Sequence, residues 1–298
     1  MRRKVWSSTL AILLVLSLLA GCSRSGPAPG AAPAPSAPAA AKAGQATAPT
    51  QAATTKARRL VISQIEETRD ARSIDPLVSM DIPIPSMFVY DTLLRRTPSG
   101  ELKPYLAESF QRTDAVTWQF KLRRGVKFSD GSPLTSADVK ATIDHIMNPK
   151  ARSGLLRMIS YVKEVRVLDD YTVAVVTKVP HVLQPNFLVP IPILSDEQLS
   201  KADDSYKTNL VGTGPYQLAE WRPAESVLLK KNPQYWAGPV EWDEVLVKAV
   251  HEPFTRLADL LSGTAQLSGD LLPEMAPKLK QAGFQVLVTV HLQYGYPV

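Results

Sequence analysis

The chain has one cysteine in 298 residues, so no disulfide can form within it, and a folded body must be held by its core. Histidine is nearly as scarce. His145, His181, His251 and His291 stand far apart, with no i, i+4 pair and no cysteine nearby, so local spacing builds no metal site. An excess of basic charge over the body is also missing. Six of the 34 basic residues lie in 1–57 with no acidic residue, and the remaining 28 balance the 28 acidic ones. That balance removes the electrostatic argument for a nucleic-acid partner, because phosphate neutralisation needs a basic face. There is no apolar run of about 20 residues, the length a membrane-spanning helix takes. Aromatic residues make up 7% of the chain.

What is present begins with an export signal. Arg2-Arg3-Lys4 is a positive n-region, and Leu10 to Leu19 is an apolar core broken only by Ser17. Leu19-Ala20-Gly21-Cys22 then looks like a bacterial lipobox, which makes 1–21 a lipoprotein signal peptide and Cys22 the lipidated residue. From Ser23 to Ala57 there are 14 Ala and 6 Pro, with no Val, Ile, Leu or aromatic residue. Such a segment buries no core and reads as a disordered tether over 22–57, spanning roughly 30–35 Å as a flexible coil.

The body starts near Arg58. Leu60-Val61-Ile62 is a strand signal, and Pro83 to Leu94 reads as a helix start. The most strongly patterned stretch is Thr117 to Met147. Trp118, Phe120 and Leu122 alternate with polar residues as in a half-buried strand, and Val126 and Phe128 resume that alternation. Asp130-Gly131 is a turn, and Thr135 with Asp138 forms a helix-capping pair. Val139, Ile143, Ile146 and Met147 line one helical face, and Asn148-Pro149 stops the helix. Further on, Val162 to Val167 and Thr172 to Val176 form a hairpin around Asp169-Asp170. Ser195 to Ser200 is a short helix. Strands are expected at Val227 to Lys231, Val245 to Val250 and Phe284 to Val290. Helices are expected at Phe254 to Ser262, before Gly263, and at Pro273 to Ala282, before Gly283. Mixed α/β patterning of this kind suggests two lobes.

Catalytic constellations are weak. Ser160 and Lys163 match a Ser-x-x-Lys spacing without companion motifs, at the start of a strand where i and i+3 face opposite sides. Gly212-Thr213-Gly214 leads into a strand through Pro215-Tyr216, which favours a tight turn over a phosphate loop. Arg123-Arg124 and Lys230-Lys231 read as solvated strand edges, and Trp118, Trp221, Trp236 and Trp242 as packing residues. No enzymatic activity and no cofactor are expected.

In order, PYLAESF, FKLRRGVKFSDGSPLTSADV, LVGTGPY followed by Trp221, NPQYW and FTRLADLLSG run through the body. Together they resemble the family 5 extracellular solute-binding proteins that serve oligopeptide, dipeptide and nickel ABC importers, over about Leu60 to Val290. The resemblance implies a two-lobed periplasmic-binding-protein-like clamp of mixed α and β structure, truncated before a third domain. Residues 58–85 and 184–290 would form an incomplete lobe I, 86–183 an inserted lobe II, and 291–298 the start of a crossover. The family often carries Asp shortly after the helix-ending glycine, where this chain has Gln266.

The resemblance further implies capture of a peptide or other small solute outside the membrane and delivery to an ABC transporter permease, from an exported, lipid-anchored position. It places ligand contacts in the loop after the first strand (Gln64, Glu66, Glu67), in the loop after the capped helix (Gly154, Leu155) and at Tyr294. Two other readings are a non-functional fragment of such a protein and a surface sensor or adhesion lipoprotein built on the same scaffold.

Overall fold

The computed structural model describes residues 57–64, 74–78, 84–201 and 204–287. The export signal, Cys22, the tether, Glu66, Glu67 and Tyr294 lie outside them.

Two sheets organise the body. The first is five-stranded and mixed. β1 (Arg59–Gln64) runs parallel to β10 (Glu244–Ala249) on one side and to β11 (Leu267–Ser268) on the other. β9 (Ser226–Lys231) and β8 (Tyr216–Arg222) extend it antiparallel, giving the order β11-β1-β10-β9-β8. The second sheet is antiparallel. It consists of β4 (Ala107–Arg112), β5 (Thr117–Leu122), β7 (Thr172–Thr177) and β6 (Val162–Asp169), in that spatial order. A short ladder of β2 (Leu94–Arg96) and β3 (Leu102–Pro104) precedes it in the chain. All strands of the five-stranded sheet come from 59–64 and 216–268, and all strands of the four-stranded sheet from 107–177.

The helices are α1 (Ile84–Val89), α2 (Ser136–Met147), α3 (Leu156–Ile159), α4 (Gln184–Leu188), α5 (Asp196–Ser200), α6 (Pro253–Leu261) and α7 (Ala276–Gln281). α2 lays Val139, Ile143 and Ile146 on β6 and β7, and all three side chains are buried. Its start is fixed as expected: the Thr135 backbone N–H donates to the Asp138 carboxylate at 2.7 Å. Leu257 and Leu260 of α6, Leu279 of α7 and Met275 just before α7 form one apolar cluster, against which Val61 of β1 packs. Gly263 and Gly283 end the two helices at φ +75° and +86°, a conformation glycine adopts without steric cost.

Four expectations change. The helix after Pro83 ends at Val89, because the Val89 carbonyl, which would continue the helix, accepts the Gly214 N–H at 2.8 Å. The chain then turns into β2, where Leu94 already lies. Val126 and Phe128 are buried but not in a strand, since Lys127 makes only an isolated bridge to Pro133. Phe284 to Leu287 carry no strand, and 288–290 are outside the described residues. Ser160 caps α3 and precedes the strand that begins at Val162.

Candidate functional site

A carboxylate buried without partners costs several kcal/mol, so an acid inside an apolar run is a place to look for structure. Asp91 is such an acid, between Tyr90 and Leu93-Leu94, and only 4% exposed. Its Oδ2 accepts the indole N–H of Trp236 at 2.8 Å and the hydroxyl of Thr213 at 3.1 Å. Burial pushes its pKa up, and those two donors pull it down. Around it, the Tyr105 and Tyr235 hydroxyls bond at 2.6 Å, and the Arg123 guanidinium lies over Trp236. The Asn232 amide donates to the Gly214 carbonyl at 3.0 Å. Four of the stretches singled out in the sequence thus meet at one point: PYLAESF through Tyr105, FKLRRG through Arg123, LVGTGPY through Thr213, and NPQYW through Asn232, Tyr235 and Trp236. Gly212 and Gly214 let this happen by close approach. A Cβ on Gly212 would lie 2.0 Å from the Val89 oxygen. The geometry of the knot is that of a joint between segments.

Open α/β sheets place ligands at the carboxyl ends of parallel strands, and β1 ends beside two parallel neighbours. Gln64 ends β1 and is buried. Its carbonyl accepts the Val250 N–H at 2.7 Å, while its side-chain Oε1 has no partner among the described residues. Beside it, the buried Arg256 donates from Nη1 to the Val250 and His251 carbonyls, both at 2.7 Å. Its Nη2 donates to the Asp270 carbonyl at 2.6 Å. One guanidinium therefore ties the segment after β10 to the turn after β11. Burial lowers its pKa, opposed by Asp270 and Glu252. Asp259 braces the same edge, accepting from the Ser63 hydroxyl at 2.9 Å and from Lys248 Nζ at 3.4 Å.

The second predicted loop docks on chain 76 residues earlier. The Gly154 N–H donates to the Val78 carbonyl at 3.2 Å and the Ser153 hydroxyl to the Leu77 carbonyl at 2.6 Å. The Leu155 side chain is fully buried, so it belongs to the core. These contacts set the 153–155 loop against the segment that follows the Gln64 loop. The residues joining Gln64 to Ile74, with Glu66 and Glu67, are outside the described part. Among the described residues no three His, Cys, Asp or Glu side chains cluster in a way that would hold a metal ion. His145 instead faces Tyr206, Nε2 to hydroxyl 3.1 Å. Sequence reasoning missed Asp91 and Arg256. The signal for each was a charged residue set in an apolar helix or run, which requires a buried partner.

The fold is that of the periplasmic-binding-protein class. The chain belongs to the bacterial extracellular solute-binding proteins of family 5, whose middle section matches residues 101–296. It is 33% identical over 212 residues to the glutathione-binding protein GsiB of Salmonella choleraesuis, covering 70% of this chain and 41% of that protein. It is 34% identical over 193 residues to Protein XP55 of Streptomyces lividans, covering 62% and 34%. Among solved structures, NikZ from Campylobacter jejuni in complex with Ni(L-His) superposes with a TM-score of 0.68 at 25% identity, covering 74% of this chain and 45% of that one. OppA of Burkholderia pseudomallei gives 0.67 at 25% identity, covering 76% and 48%. The chain spans less than half the length of these relatives. No helix among the described residues is long and apolar enough to cross a membrane.

Proposed function

We propose that the protein captures a peptide-like or similar small solute outside the membrane and hands it to the permease of an ABC importer, with no covalent chemistry. Cys22 carries the lipid anchor and 22–57 the tether. Residues 58–85 and 184–290 form one lobe around the five-stranded sheet, and 86–183 form the other around the four-stranded sheet. Solute binding stabilises the closed arrangement of the lobes, and that arrangement docks on the permease.

The observation that carries the reading is Gln64, buried at the carboxyl end of a parallel strand, with no partner for its Oε1 among the described residues. An unsatisfied buried amide oxygen is a ready acceptor for a ligand N–H. Glu66, Glu67, the Gly154 and Leu155 loop and Tyr294 complete the proposed contacts. Backbone-type hydrogen bonds to a peptide would tolerate varied side chains. Family membership supports the same reading.

The test is a thermal-shift screen of the full chain against short peptides including glutathione, opine-type conjugates and metal–histidine complexes. A ligand at about 100 times its Kd contributes about 2.7 kcal/mol, an expected rise of about 5–10 °C in Tm. Gln64→Leu abolishes that rise and leaves the unliganded Tm near the wild-type value. Absence of a shift with every class overturns the proposal.

A further inference from the structure

Arg123 and Arg124 directly follow β5, and they line a cavity of about 580 Å³ together with Glu108, Lys121, Val126 and Trp236. Consecutive residues of an extended strand point to opposite faces. Here the strand stops at Leu122, and Gly125 at φ +77° turns the chain, so both arginines line the same cavity.

The charges do not cancel. Lys121 pairs with Glu108 at 2.6 Å, and neither arginine has a carboxylate within ion-pair distance among the described residues. Each guanidinium is nevertheless held. Arg123 donates its Nε to the Tyr105 carbonyl at 2.6 Å and sits 5.2 Å from the Trp236 ring centre. Arg124 lies 4.4 Å from the Tyr171 ring centre. Stacking fixes the planar fork and leaves the terminal nitrogens available, and such a fork matches the oxygens of a phosphate or carboxylate. Pre-orientation also reduces the ordering cost of binding.

We propose that this cavity is a binding site for a phosphate-class dianion, separate from the solute site at the carboxyl ends of the parallel strands. The charged side chains that line the cavity, Lys121, Arg123, Arg124 and Glu108, sum to +2, which matches the charge of about −2 on a phosphate monoester at neutral pH. The volume falls in the small-molecule range of roughly 300–1,000 Å³, and Trp236 and Val126 give the organic part of an ester an apolar wall. Glu108 and Lys121 belong to the four-stranded sheet, whereas Trp236 lies on the loop that follows β9. An anion bound between them clamps the two sheets' segments together, so binding stabilises the fold as well as filling the cavity.

The chemistry is shared by soluble phosphate esters and phospholipid headgroups, and the experiment separates them. The detergent-solubilised full chain is titrated calorimetrically with inorganic phosphate and with glycerol 3-phosphate at constant ionic strength, up to about 10 mM. Saturable binding is expected, with the ester tighter than inorganic phosphate and Tm raised at matched ionic strength. Arg124→Gln weakens binding about tenfold or more, since a charge-assisted fork is lost. Glu108→Gln strengthens it, because a carboxylate that lines the cavity is removed. Arg166→Gln, on an exposed arginine paired with Glu164 on the same strand, β6, changes nothing. In a parallel arm, sedimentation with phosphatidylglycerol vesicles is compared with phosphatidylcholine vesicles. Arg124-dependent binding to the former without soluble-phosphate binding assigns the site to a headgroup. The proposal is overturned if no phosphate binds saturably and vesicle binding ignores Arg124, or if Arg124→Gln and Arg166→Gln weaken binding equally.

Discussion

A carboxylate taken out of water has to be met by donors, and Asp91 is met by two that arrive from chain 122 and 145 residues away. Asp91→Ala leaves the Trp236 indole and the Thr213 hydroxyl buried without an acceptor, an expected loss of about 3 kcal/mol read from the urea midpoint. Asp91→Asn keeps an oxygen where Oδ2 sits and is expected to lose about 1 kcal/mol or less. Because burial raises the folded-state pKa, the native chain holds the Asp91 proton where the unfolded chain has released it. Native stability therefore falls as pH rises above the ordinary carboxylate range, and the gap between wild type and Asp91→Asn narrows with it. A gap that widens with pH would show that the donors outweigh burial. The glycines opposite Asp91 act through space: φ at Gly212 and Gly214 is not positive, yet a Cβ on either would overlap the Phe88–Val89 backbone. Gly212→Ala is expected to cost about 3 kcal/mol or more, measured by the same denaturation.

Helix α2 is the element whose ends are most fully specified by local chemistry, and its N-terminus also reaches into the tertiary structure. Asp138 accepts from the Thr135 N–H through Oδ2 and from the Asp196 N–H through Oδ1 at 2.9 Å, so one carboxylate caps α2 and anchors α5. Burial pushes its pKa up to about 6, with nearby Asp196 adding to the rise and the two backbone donors opposing it. A folded pKa above the unfolded 3.8 means that the Asp138 contribution to stability declines as pH rises through the window from about 4 to about 6. Asp138→Asn flattens that part of the pH–stability curve. It also costs about 1–2 kcal/mol at neutral pH, because an amide nitrogen then faces one of the two N–H donors. Equilibrium unfolding across this range measures both effects. α1 shows the opposite balance. Its apolar pattern continues to Leu94, and a tertiary hydrogen bond to Gly214 ends it five residues earlier.

In the five-stranded sheet, β10 is flanked by β1 and β9, whereas β11 contributes two residues at an edge. Amide exchange in the full chain is expected to be slowest in Val245 to Val247 and fast at Leu267 and Ser268, since edge amides open locally without global unfolding. Uniformly fast exchange through β10 would contradict a folded body. At this scale the division between sequence and structure is clear. Strands with strict alternation, such as Trp118 to Leu122, and helices with their own caps, such as α2, α6 and α7, were determined by the sequence itself. So was the motif order that places the chain in its family, because local periodicity, capping side chains and left-handed glycines act over a few residues. Three things were decided only by tertiary structure. Asp91 gathers motifs from Tyr105 to Trp236, Arg256 ties the segments that follow two strands, and Gln64 is buried at the edge of a parallel sheet. Each of these rests on partners far away in the chain, and a buried charge or amide finds them only when the backbone has closed around it.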